Sequence, residues 1–122
     1  MRQLMFVAAV LMVVALPLRA ADVTGKWTAT FTTDIGEQSY TYDFVVKGTV
    51  LTGTAKGNLT GESKIADGKV DGDKISFVEN ATFMEMPVRI VYTGQLTSAD
   101  EIKITRVVLD MITEQLVAKR VK

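Results

Sequence analysis

"GKVDGDKISF", Gly68 to Phe77, decides how this chain folds. With Asp67 just before it, the stretch gathers three acids around two glycines, which reads as a cation loop or as a bend between strands. A calcium loop needs several oxygen ligands at alternating positions and a bidentate acid downstream. Lys69 and Val70 supply no such oxygen. A turn at Gly72–Asp73 instead sets Val70 opposite Ile75 on one face and Asp71 opposite Lys74 on the other. Asp73 would share a positive φ with Gly72, and Asp71 would pair with Lys74 across the strands. The stretch is a hairpin, and no metal site is expected.

The same device recurs on either side. "VVKGTVLTG" (Val45–Gly53) and "GQLTSADEIKIT" (Gly94–Thr105) each read strand, tight polar turn, strand. From residue 21 onward the chain is a series of short segments rich in Thr, Val, Ile, Phe and Tyr, cut by Gly and Asp. No segment there keeps a helical period over three turns. Eight strands are predicted, at 25–33, 38–47, 50–56, 61–67, 69/74–79, 87–96, 101–107 and 113–121, with the hairpin at Asp71–Asp73 joining the fourth and fifth. Sequential hairpins place neighbours side by side, so the expected fold is an all-β, eight-stranded antiparallel up-and-down barrel whose closure removes its edges.

Period-two alternation chooses the inward face. It selects Trp27, Ala29 and Phe31; Tyr40, Tyr42, Phe44 and Val46; Leu51, Gly53 and Ala55; and Val70, Ile75 and Phe77. Further along come Val88, Ile90, Tyr92 and Leu96; Ile102 and Ile104; and Leu116 and Ala118. Ile65 and Val70 differ in parity, which predicts a bulge near Asp67–Gly68. A hairpin centred between Ile35 and Gly36 pairs Trp27 with Phe44, Ala29 with Tyr42 and Phe31 with Tyr40. A turn at Gly48–Thr49 pairs Val46 with Leu51 and Phe44 with Gly53. Every pair joins two inward positions, so turns and alternation agree.

The two barrel ends differ in character. Links at Lys47–Val50, Asp71–Lys74 and Thr97–Asp100 are short and polar. The other end collects "DIGE", "GNLTG", "ENATFMEMP" and "VVLDMIT", which read as longer and carry Ile35, Leu59, Phe83, Met84, Met86, Leu109 and Met111. Such a rim suits the mouth of an internal pocket, a plug that completes the core, or an exposed patch for a partner protein.

Met1–Ala20, "MRQLMFVAAVLMVVALPLRA", has an early Arg2, an apolar run from Leu4 to Leu16 and small residues at its end. This is the pattern of a signal-peptide helix cut after Ala20, leaving a domain of residues 21–122 in the periplasm or outside the cell. The run is shorter than the roughly 18 residues a membrane span needs, and a retained N-terminal anchor is the alternative. The chain has no cysteine, so packing alone must hold the domain. Its balanced charge, 14 basic against 14 acidic residues, offers no concentrated basic face for nucleic acid.

Neither histidine nor cysteine is present, which removes the commonest general base, thiol nucleophiles and the usual zinc ligands. Most acids fall in turns or on outward positions. No enzymatic activity and no cofactor are expected. One inward polar cluster stands apart. A hairpin centred on Asp110 sets Arg106 opposite Glu114, and the preceding hairpin sets Arg106 beside Tyr92. The three converge inside the barrel toward the apolar rim. They form either a self-satisfied network or an anchor for a ligand's polar group. Since Glu114 already balances Arg106, a neutral group fits better than a carboxylate.

"TGKW" (Thr24–Trp27) entering the first strand, the eight-strand meander and a late Arg120 in "VAKR" resemble the calycin barrels: lipocalins, fatty-acid-binding proteins and avidins. The resemblance implies that Trp27 closes one barrel end and stacks beneath Arg120. The Gly-Asp-Lys hairpin at Gly72–Lys74 and the ending Ala118–Arg120 also resemble small exported bacterial barrels of unassigned function. A disulfide of the lipocalin kind and a C-terminal helix have no counterpart here.

The expected function is a monomeric binder of a small, mostly apolar molecule. Trp27, Phe31, Tyr42, Phe44, Phe77 and Tyr92 would line its wall, with Arg106 and Glu114 orienting a polar group. Room is expected near Ala29, Gly53, Ala55 and Ala118. The alternative is a filled barrel whose rim docks on another protein as an inhibitor or accessory module.

Overall fold

A computed structural model describes residues 22–122, and the expected leader at 1–20 lies outside them. The alternating segments form β1 (Gly25–Thr33), β2 (Gly36–Lys47), β3 (Val50–Gly57), β4 (Gly61–Asp71), β5 (Lys74–Phe83), β6 (Met86–Ser98), β7 (Glu101–Val108) and β8 (Ile112–Arg120). Each pairs antiparallel with its neighbours in sequence, and β1 pairs with β8 to close the barrel. The predicted fold class is the observed one.

The deciding hairpin turns as read: Val70 faces Ile75 and Asp71 faces Lys74. Gly72 alone takes the left-handed backbone there, at φ 59°, so Asp73 has no such role. Asp71 and Lys74 stand opposite each other without an ion pair. The bulge lies where parity placed it: the β4–β5 register slips between Ala66 and Lys69, with Asp67 at φ 53°. Val46 faces Leu51 and Phe44 faces Gly53, also as predicted.

The first hairpin corrects the expectation. It turns at Asp34–Ile35, so Trp27 faces Tyr42, Ala29 faces Tyr40 and Phe31 faces Gln38. Thr33 Oγ1 accepts from the Ile35 amide (3.3 Å) and donates to the Gly36 carbonyl (3.0 Å), which closes a tighter turn. The shift is two residues, so the same side chains still point inward. The rim connections are also shorter than expected. β5 and β6 run on through "ENATFMEMP" to a two-residue turn at Met84–Glu85, and β7 and β8 meet at Leu109–Met111.

Inside, the middle of the barrel is solid. Tyr42 lies between Tyr40 (5.4 Å between ring centroids) and Phe44 (5.7 Å), while Phe77 stacks on Tyr92 at 4.3 Å. Tyr42 meets Tyr92 edge-on at 5.7 Å, which joins the two stacks. Ala29, Ala55 and Ala118 are buried within this packing. At the floor the Arg120 guanidinium sits 4.5 Å from the Trp27 ring and donates to the carbonyls of Asp22, Thr24 and Ala99. Trp27 Nε1 donates to the Val23 carbonyl at 2.9 Å. The pairing of Trp27 with Arg120 is therefore present, as neighbours across the β1–β8 seam.

Candidate functional site

Above the aromatic layer the inward positions turn polar. Gln38 on β2, Glu79 on β5 and Arg106 on β7 are buried, and Glu114 on β8 is nearly so. A buried ion requires partners for its hydrogen-bonding groups. Arg106 Nε donates to Glu114 Oε1 at 2.7 Å, Nη1 to the Tyr92 hydroxyl at 3.1 Å, and Nη2 to Gln38 Oε1 at 3.2 Å. The guanidinium also lies 4.7 Å from the Phe31 ring centroid and 5.1 Å from that of Tyr40. Burial works to lower its pKa, but the contacts with Tyr92 and Glu114 outweigh it and hold the group above its ordinary range. Arg106 is a fixed cation.

The network continues downward. The Tyr92 hydroxyl donates to Glu79 Oε1 at 2.7 Å and accepts from Tyr42 at 3.2 Å. Tyr40 donates to Glu79 Oε2 at 3.1 Å and contacts Thr60 Oγ1 at 2.7 Å. Burial pushes the Glu79 carboxyl up, against the lowering effect of the Tyr92 and Tyr40 hydrogen bonds and of Arg106. The Tyr42 and Tyr92 hydroxyls are raised for the same first reason, burial, and both stay protonated.

A recess of about 220 Å³ opens above this layer at the rim. Gln38, Thr60, Arg106 and Glu114 supply its polar groups. Its walls are Ile35, Phe83, Val88, Ile90, Val108, Leu109 and Ile112, with Thr33 and Asp34 at the mouth. A larger groove of about 500 Å³ lies against the outer wall among Lys69, Lys74, Lys103 and Thr105. It contains none of the buried polar groups and is open to solvent.

Of the residues expected to hold a ligand, Arg106 and Glu114 border the recess and come together as the hairpins required. Trp27, Tyr42, Phe44, Phe77 and Tyr92 are packed beneath it, and Phe31 lies against the Arg106 guanidinium. The available space is at the rim rather than beside the small residues of the middle layer. Ile35, Phe83 and Leu109 line the recess, whereas Leu59, Met84, Met86 and Met111 are exposed around it. Glu79 and Gln38 were not anticipated. Each sits one step along the inward parity, after Phe77 and before Tyr40, so the alternation itself could have revealed them. Among the described residues no three acidic side chains converge to hold a metal ion.

No protein-family model matches the chain, and no curated protein matches it. Among solved structures it is similar to a redesigned β-barrel, with 17% identity and a TM-score of 0.61 over 88% of this chain and 99% of that one. At that identity the likeness concerns the fold alone.

Proposed function

We propose that this protein binds a small, mostly apolar molecule in the rim recess and does no chemistry on it. The observation that carries the reading is an apolar-walled cavity whose floor holds an oriented ion pair, buried Arg106 with partly buried Glu114. Pockets of this make-up, apolar walls with a few convergent polar groups, are the usual form of a ligand site. At about 220 Å³ the recess holds roughly seven waters' share of liquid volume, at about 30 Å³ each. A six-carbon chain with one small head group matches that space. Catalysis is disfavoured because Glu79 lies behind Tyr92 and Glu114 is already engaged by Arg106.

Kinship with the calycin barrels belongs to the same proposal. Its support is the Trp27–Arg120 stack at the closed end, opposite the recess. Export follows from the composition of residues 1–20. The test is an NMR titration with hexanol that follows the methyl groups of Ile90, Val108 and Ile112. Saturable shifts confined to these groups, lost in Val108→Trp, support the reading. Absence of shifts, or shifts unaffected by Val108→Trp, would overturn it.

A second reading rests on the rim itself. Met84, Met111 and Met86 are 79%, 73% and 65% exposed, and methionine-rich surfaces suit adaptable protein contacts. Under that reading, Met84→Asp with Met86→Asp abolishes association with a partner protein while the hexanol shifts persist.

A further inference from the structure

Resting on the small-molecule reading above, we infer that the recess selects its ligand by charge: it accepts a neutral head group that both donates and accepts, such as a primary amide, and rejects carboxylates and ammonium ions. Arg106 uses three of a guanidinium's five N–H donors on Glu114, Tyr92 and Gln38. The Tyr40 hydroxyl engages a fourth, which leaves one N–H without an acceptor among the described residues. Glu114 receives Arg106 through Oε1, and Oε2 takes no hydrogen bond from a described residue. Both side chains border the recess. An unengaged donor and an unengaged acceptor therefore stand on neighbouring groups.

The charges around the guanidinium decide the rest. Glu114 meets it directly. Asp34 adds a further carboxylate at the mouth. The four rim turns contain Asp34, Glu85 and Asp110 but neither lysine nor arginine. An incoming carboxylate reaches the arginine only beside Glu114, where like charges repel strongly away from water. An ammonium ion on the floor would face the fixed Arg106 cation and lose its hydration. A primary amide meets neither penalty: its N–H can donate to Glu114 Oε2 and its carbonyl can accept from Arg106.

The experiment titrates hexanamide, hexanoate and hexylamine near neutral pH, reading the Ile90, Val108 and Ile112 methyl signals of the wild-type protein and of Glu114→Gln. The wild type is expected to bind hexanamide at least about tenfold more tightly than either ion. Glu114→Gln removes the competing charge while keeping an oxygen for Arg106 Nε. It should strengthen hexanoate binding at least about tenfold and weaken hexanamide binding, because the amide N–H loses the Glu114 Oε2 acceptor. A gain of this kind does not arise from a poorly folded variant. Hexanoate binding equal to hexanamide in the wild type, or no gain in Glu114→Gln, overturns the selectivity and leaves the recess reading standing. Failure of all three probes, together with hexanol, overturns the recess reading and the selectivity with it.

Discussion

Glu79 is a carboxyl with no exposed surface, held between two tyrosine hydroxyls. Burial raises its pKa in the folded state, so folding favours its protonated form. The sign of the consequence follows by linkage: its contribution is fully present below the unfolded value, near 4.5, and is lost as pH rises through the higher folded value. Urea unfolding from about pH 4 to about pH 9 should show the wild type losing stability relative to Glu79→Gln across that rise. A difference that is flat, or of opposite slope, would remove Glu79 as the titrating group. Arg106, Tyr92 and Glu114 were legible beforehand because two hairpin centres specified their meeting. Gln38 and Glu79 share the inward parity, but alternation gives only their direction, because a polar residue on the inward face looks like the end of a strand. What permits their burial lies far along the chain, at Arg106 for Gln38 and at Tyr40 for Glu79. Local pattern carries no trace of those partners.

Among the elements, the β5–β6 hairpin carries a steric cost that the β7–β8 turn shares at Leu109 and Asp110. Met84 and Glu85 both adopt the left-handed backbone, at φ 51° and 67°. Side-chain-bearing residues reach that region only against steric resistance, about 1–2 kcal/mol each, and hairpin turns of this form favour Asn-Gly. Met84 recovers nothing by burial. Replacing the pair by Asn-Gly should raise stability by about 1–2 kcal/mol, read as a higher urea midpoint with unchanged slope. If stability falls, the turn has a support not evident in its contacts. At this scale the strands and both predicted two-residue turns could be read from alternation and turn residues, as could the bulge at Asp67. The β1–β2 register could not, because pairings two residues apart bury the same side chains, and only the Thr33 hydrogen bonds separate them. Apolar Phe83, Met84 and Met86 likewise made a short turn resemble a long loop.

For the whole molecule, closure depends on a short seam. β1 and β8 share register only at Trp27–Arg120 and Thr28–Lys119, extended by the Val121 amide donating to the Lys26 carbonyl. Arg120 reinforces it with the Trp27 stack and three carbonyl contacts. Arg120→Ala should cost about 2–4 kcal/mol and speed hydrogen exchange first along β1 and β8. Loss of protection spread evenly around the barrel would show that the seam is not its weak point. The meander and the Trp–Arg match made this closure readable from sequence, since both ends of the argument fell at one end of the cylinder. The seam also brings Asp22 within one side chain's reach of Arg120, which suggests rewiring the chain order. In a polypeptide cut down to residues 22–122, a short Gly-Ser bridge from Lys122 to Asp22, with new ends at Gly72–Asp73, would give a circular permutant. That permutant would keep every strand pairing but move the free ends to the hairpin from which the fold was first read.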